Sequence, residues 1–372
     1  MRSPTRRTLR RELTKEVQRI RIRATANMAD VLSPRHMKRD KFYYVDKELD
    51  RLKIILRGKG CSMPTCTMCP LPKHGIDSNL DLNTSYYGEQ FDFAIDSLRI
   101  GTVEAVALYN DGSYYSEREM PCIVTDFLER RVRALGARYM FIESLPRFIT
   151  ESRIARTMDN LQETKLNVAI GLQSANKDVR SFLLNSPFSE REFEHAIKTL
   201  KGHGCDVRIH VLLKPPMLTE LEAILDAQAS IRFAFDMGAD LVSVCPLRIG
   251  TGTLVEGLHR RGMYQQIGLH SIVETVTSSP NLSRTRIDGI EDDTCAPEDR
   301  LEGGCGQCSS ELKLFFRSVN HGERNPINHF DQCNCYRQRI QSEIEMFQTF
   351  GFLTLDIPER MQLALDVLSG PR

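Results

Sequence analysis

The stretch whose reading decides the fold is Arg57-Gly58-Lys59-Gly60-Cys61-Ser62-Met63-Pro64-Thr65-Cys66-Thr67-Met68-Cys69-Pro70. It is a C-x4-C-x2-C run directly after a short apolar segment, Leu52–Arg57, that reads as a strand. Three thiolates on one short loop can hold three irons of a cubane cluster, because short spacers let the loop wrap around it. The fourth iron then lacks a protein ligand from this loop, and an open coordination position is what a substrate-binding metal centre needs. Glycines 58 and 60 let the backbone turn close to a bulky group. Two other readings stay open at this point: a structural zinc loop with His74 as fourth ligand, and unliganded thiols.

Outward from that loop a pattern recurs in which a short β-branched, apolar run is followed by a loop and an amphipathic helix. The remaining strand candidates are Val103–Tyr109, Tyr139–Ile142, Asn167–Leu172, Val207–Leu213 and Leu241–Pro246. Between them Met120–Leu135, Glu190–His203 and Glu220–Met237 carry helical spacing, the last ending at Gly238, a residue suited to a C-cap. Strands alternating with helices imply a parallel sheet with right-handed crossovers. Six such units fit an incomplete barrel or a doubly wound sheet, and the pattern alone does not separate them. In either, active sites gather at the carboxyl ends of the strands, where the cysteine loop sits.

The chain has 372 residues, 50 Lys plus Arg against 49 Asp plus Glu, and a net charge of +1, so its overall charge carries no signal for nucleic acid. The first 23 residues do carry one locally, with nine Lys or Arg and two Glu. They read as a helix, either a solvated arm or a phosphate-contacting one. Neither a signal-peptide apolar core nor a membrane-length run is present, so a cytoplasmic protein is expected.

Eleven cysteines, an odd number in tight local groups, favour metal ligation over disulfides. After about Ser279 the character changes: residues 288–300 are acidic and turn-rich, and the segments 338–350 and 358–368 look helical. Cys305, Cys308, Cys333 and Cys335 form a C-x2-C…C-x-C set with a 24-residue spacer, which suits tetrahedral Zn2+ stapling a module too small to hold itself together by apolar burial. A second iron–sulfur cluster and an empty thiol set are the alternatives, with Cys295, His321 and His329 as nearby substitutes. Cys122, Cys205 and Cys245 read as core thiols, Cys245 standing at the presumed rim of the active site. The chain divides into a basic N-terminal helical arm (1–49), a βα domain (50–280) and a cysteine-rich C-terminal module (281–372).

An ordered set of motifs carries a resemblance: Gly60-Cys61, Cys66-Thr-Met-Cys69, Asn110-Asp-Gly-Ser113, Ile142-Glu-Ser144, Ala169-Ile-Gly-Leu-Gln-Ser-Ala175, Leu212-Leu-Lys-Pro-Pro216, Gly252-Thr-Leu-Val-Glu256, Gly304-Cys-Gly-Gln-Cys308 and Cys333-Asn-Cys335. Over most of residues 50–340 the chain resembles the radical-SAM superfamily, more specifically the archaeosine-forming enzymes and, more distantly, the elongator-type domains. The resemblance implies a partial (β/α)6 TIM-type barrel with a small C-terminal metal-binding module. It implies that Cys61, Cys66 and Cys69 hold a [4Fe–4S] cluster at which S-adenosyl-L-methionine is reductively cleaved, giving a 5′-deoxyadenosyl radical that takes a hydrogen from substrate.

It also implies that Asn110, Asp111, Gly112 and Ser113 meet the amino group of S-adenosylmethionine, although those residue types equally make a plain turn. Glu143, Gln173 and Ser174 stand at strand ends, where they would line the open end of a barrel and bind the ribose or the substrate; Glu143 would otherwise pair with an arginine inside it. Arg208 and Lys214 flank the fifth strand, and either would meet the cofactor's carboxylate. The implied substrate is a 7-deazaguanine-type base in tRNA, with a flavodoxin or ferredoxin as reducing partner. The alternatives are a homologue acting on a small molecule or peptide, and a non-catalytic, zinc-stapled binding protein.

Overall fold

The computed structural model describes residues 6–24, 32–76, 82–289, 305–306, 308–323 and 333–369. The acidic stretch from 290 to 300, Cys295, His329 and Gly304 lie outside the described residues. One eight-stranded sheet runs in the order β1 (His36–Tyr44), β2 (Lys47–Ile55), β3 (Ala105–Tyr109), β4 (Tyr139–Glu143), β5 (Lys165–Gln173), β6 (Asp206–Leu213), β7 (Leu241–Pro246) and β8 (Thr285–Ile287). The first pair is antiparallel and every later neighbour is parallel. All six expected strands are present, and the sheet curls into a partial (β/α) barrel rather than lying open between two helix layers.

The pleat sorts the side chains. Val106, Leu108, Met140, Ile142, Val168, Ile170, Val207, Ile209, Val242 and Val244 alternate onto the outer face and pack in one apolar core. Their helical partners include α2 (Thr84–Ser97), α3 (Cys122–Ala134), α4 (Glu151–Leu161), α5 (Glu190–Gly202) and α6 (Glu220–Asp236). Ala105, Ala107, Phe141 and Leu241 alternate inward and close the bottom of the barrel with Tyr44 and Leu49. There Tyr44 donates its hydroxyl to Asp206 at 2.5 Å and accepts from Asn167 Nδ2 at 3.0 Å. By the same alternation Glu143, Gln173, Arg208, His210 and Cys245 share the inner face nearer the mouth.

Two strands escape the sequence pattern. β1 is nearly all polar apart from its aromatic end, and it joins β2 through a two-residue turn with Val45 at φ +55°. β8 is three residues long and pairs with β7. The outer strands meet across the seam without a ladder: Arg286 of β8 donates to the Tyr43 carbonyl at 3.3 Å, its guanidinium 5.2 Å from the Tyr43 ring.

The N-terminal helix α1 (Arg6–Ala24) is not a solvated arm. Leu9, Leu13 and Val17 are buried. Leu9 and Leu13 join a second apolar core that also takes in α7 (Leu254–Arg260) and α11 (Ile357–Ser369). Between those two run α8 (Leu269–Thr277), α9 (Ser309–Asn320) and α10 (Asn334–Thr349). No helix among the described residues is long and apolar enough to cross a membrane.

Candidate active site

The loop after β2 is held at both ends. Gln90 accepts the Arg57 amide at 2.7 Å and donates to the Arg57 carbonyl at 3.1 Å. Gly60 then turns the chain at φ +70°. Further on, Thr67 donates its hydroxyl to the Leu183 carbonyl at 2.6 Å and its amide to Leu184 at 3.1 Å, and its own carbonyl receives the Leu254 amide at 3.0 Å. Cys61, Cys66 and Cys69 are thereby half-buried on one clamped loop.

Burial pushes all three thiols up, Cys61 to about 12 with the nearby Glu119 carboxylate adding to it. Thiols so disfavoured as free anions ionise only with a cation beside them. A cavity of about 380 Å3 lies between Cys61 and Cys69, walled also by Gln18, Arg21, Pro70, Thr251 and Gly252. Arg21 of α1 donates Nη2 to the Cys66 and Cys69 carbonyls at 2.6 and 2.9 Å, while its buried Nε and Nη1 have no partner among the described residues. A negatively charged, bulky group fits this donor set and this space.

A lone zinc ion does not fit it. Four thiolates on zinc stand roughly 3.8 Å apart. Among the described residues, the His, Cys, Asp and Glu sets with donor atoms within 4.8 Å of one another are His210/Cys245/Asp288 and His270/Cys308/Cys333/Cys335. The loop cysteines are too spread to join such a set. His74 stands in the short turn Leu71–His74, its pKa lowered to about 4 by burial and by the neighbouring Arg35 charge.

Glu119, which no sequence pattern singles out, joins this loop to the motif after β3. Its Oε1 accepts the Ser62 amide at 2.7 Å and the Ser62 hydroxyl at 2.6 Å, and its Oε2 accepts the Ser113 amide at 2.5 Å. Gly112 allows the approach: a Cβ there would overlap the Glu119 carboxylate and stand 3.2 Å from the Cys61 Cα. The motif is therefore more than a surface turn. Asn110, Asp111 and Ser113 are buried, and Asp111, at φ +55°, pairs with Arg35 at 2.5 Å. Burial raises the Asp111 pKa and Arg35 opposes the shift.

The other expected contacts divide. Glu143 and Gln173 stand at strand ends on the inner face, Gln173 at φ +68° after a bulge in β5. Ser174 is fully buried and donates to Asp226 at 2.7 Å while accepting the Asn176 amide at 3.0 Å, so it serves the turn. Arg208 does grip a carboxylate, but that of Asp288, with Nη2 at 2.7 Å from both oxygens, while Ser243 accepts from Nε at 2.6 Å. Lys214 is 1% exposed and pairs with the equally buried Glu343 of α10 at 2.6 Å, donating also to the Leu218 carbonyl at 2.5 Å. Two inner-face groups were not anticipated: His210, whose buried Nε2 has no partner among the described residues, and Arg248, just beyond β7, with a buried, unpartnered Nη1.

The second cysteine group converges. Cys305 Sγ lies 3.6 Å from Cys308 and 3.4 Å from Cys333, and Cys308 lies 3.6 Å from Cys335. Those separations suit four thiolates on one metal ion. His270 of α8 stands within reach of three of the sulfurs, bringing a barrel helix to the module. His321 instead packs near Tyr43, with ring centres 6.4 Å apart.

No protein-family model matches the chain. An uncharacterized protein of Methanocaldococcus jannaschii is 25% identical over 60% of this chain and 62% of its own length. Archaeosine synthase subunit beta of Methanosarcina acetivorans is 26% identical over 82% of this chain and 88% of that one. The protein of the same name from Thermococcus kodakarensis is 28% identical over 46% of this chain and 53% of that one. The chain thus spans less than two thirds of the first and third of these relatives and most of the second.

Proposed function

We infer that the chain is a radical-SAM enzyme resembling the archaeosine-forming family, and that it acts on a 7-deazaguanine-type base in tRNA. The observation that carries the enzymatic part is the clamped loop of half-buried Cys61, Cys66 and Cys69, of which Cys61 and Cys69 line a cavity of about 380 Å3. Cys61, Cys66 and Cys69 would hold a [4Fe–4S] cluster, whose chemistry when bound is one-electron cleavage of the S-adenosylmethionine sulfonium bond.

The chain's own groups set the stage for that chemistry. Glu119 fixes the loop against Asn110–Ser113, so that cofactor contacts on one and metal ligands on the other keep a constant separation. With Arg208 engaged by Asp288 and Lys214 by Glu343, Arg21 and Arg248 would offer the cofactor's carboxylate buried donors that have no partner among the described residues. Glu143 and Gln173 remain on the inner face to orient a ribose or a base. The apolar and aromatic bottom closes the barrel below, so substrate enters from the mouth. The name shared by two relatives supports the tRNA substrate and a companion subunit. A flavodoxin or ferredoxin would supply the electron.

The test is anaerobic iron–sulfur reconstitution, then reduction with S-adenosylmethionine and assay of 5′-deoxyadenosine. Wild-type protein should release it and Cys66→Ala should not. A colourless protein that binds only zinc and cleaves nothing would leave the zinc-stapled binding protein.

A further inference from the structure

We propose that a groove beside the cysteine loop is a track for the phosphate backbone of an RNA, a proposal that rests on the tRNA reading and gives that substrate a surface. The groove has a volume of about 810 Å3. One wall is α1, which presents Arg7, Arg10 and Arg11; other lining cations are Lys177, Arg180 and Arg191, at and before the start of α5, and Arg147. Among the described residues the carboxylates lining it are Glu190 and Glu192, already engaged by Arg180 at 2.7 Å and Arg147 at 3.1 Å.

Seven cations against two carboxylates is a local excess that the chain as a whole, at +1, does not have. Arg7, Arg11, Lys177 and Arg191 are exposed and have no acidic partner among the described residues. Arg10 donates to neutral acceptors, Asn185 Oδ1 at 3.5 Å and the Ser186 carbonyl at 3.1 Å, and keeps its full charge. Unpaired cations along a concave surface repel one another, and a polyanion relieves that repulsion while releasing its own counterions. Arginine forks suit phosphate oxygens in particular.

The wall is built, not trailing. Leu9, Leu13 and Val17 anchor α1 beneath its arginines, and Arg6 pairs with Asp178 at 3.3 Å. The floor continues into the active site. Asn185 donates to Thr14 Oγ1 and to the Thr65 carbonyl, both at 3.0 Å, and Thr65 donates back to the Asn185 carbonyl at 3.2 Å. Met63 and Thr65, which lie between Cys61 and Cys66, line the groove. A backbone lying along it therefore passes beside the cysteine loop, where a base turned out of the strand reaches the barrel mouth.

The test is tRNA binding by the full reconstituted chain across a salt series, for wild type, for Arg7→Ala/Arg11→Ala/Lys177→Ala, and for Lys41→Ala/Arg133→Ala/Arg232→Ala, which removes the same charge elsewhere on the surface. The groove variant should bind at least tenfold more weakly at low salt, and its plot of log affinity against log salt should be shallower by about 2, as expected for roughly three lost phosphate contacts. The second variant should follow wild type, and all three should melt alike. If wild type binds tRNA and the two variants behave identically, the groove is not the track and the tRNA reading stands. If wild type binds no tRNA while releasing 5′-deoxyadenosine, the tRNA reading falls and the groove proposal with it.

Discussion

One carboxylate oxygen of Glu119 accepts both the amide and the hydroxyl of Ser62, the residue that follows the first loop cysteine, while its other oxygen accepts the Ser113 amide. A buried side chain with two acceptor atoms thus welds together two segments far apart in sequence. In Glu119→Gln one acceptor becomes an NH2 facing an N–H donor. Hydrogen bonds to a charged group contribute about 1.5–3 kcal/mol each, so the weld should loosen by about 2 kcal/mol or more. The reconstituted variant should hold less iron per chain than wild type and lose it faster to a chelator, both read by iron assay.

Lys214 and Glu343 make a buried pair, exposed by 1% and 2%. Removing one partner strands a buried charge, which costs about 3–5 kcal/mol. Glu343→Gln should therefore lower the denaturation midpoint sharply, and Lys214→Met/Glu343→Leu should recover most of the loss. Release of 5′-deoxyadenosine by the double variant should match wild type, because Lys214 serves the fold; its loss in a well-folded double variant would return Lys214 to the cofactor.

The Cys305/Cys308/Cys333/Cys335 set should hold one metal ion separately from the cluster loop. Cys308→Ser should remove about one equivalent of metal per chain by elemental analysis and lower the melting temperature, with the Cys61 loop still able to take up iron. His270→Ala should weaken metal retention less than the loss of a thiolate.

Glu129, buried on α3, has its pKa pushed up to about 7 by burial, against the hydrogen bonds from Asn160 and Thr157. In the folded chain it holds its proton to higher pH than in the unfolded chain, so its contribution is fully present below the unfolded value of 4.5 and is lost as pH rises through about 7. The loss is on the order of 3 kcal/mol. Stability should fall between about pH 4.5 and 7 and level off above, in a pH series of denaturant melts, and Glu129→Gln should flatten that slope.

The inner strands were legible because parallel strands covered by helices are near-continuous apolar runs, as in Leu241–Pro246 and Ala105–Tyr109. β1 was hidden because Lys38–Lys41 puts four charged residues in a row inside His36–Tyr44, which turns at Val45 without a glycine. The cysteine loop was legible from spacing alone, whereas Glu119 lies in irregular chain and acquires its role only when the loops after β2 and β3 come together. Lys214 was misplaced for a local reason. Strand alternation carries Arg208, His210 and Leu212 inward, but the backbone at Lys214 flips to φ +74° and sends the side chain to a helix more than a hundred residues later. Pattern reading fixes which residues share a face and is blind where a left-handed residue breaks the alternation.

Arg21 reaches across from α1 to the carbonyls of Cys66 and Cys69, and with Gln18 of the same helix it walls the cavity between the cysteines. The N-terminal helix thus supplies one wall of the cavity beside the cysteine loop. Were the cysteines to carry the proposed cluster, anything entering past Arg21 and Gln18 would have to displace that wall.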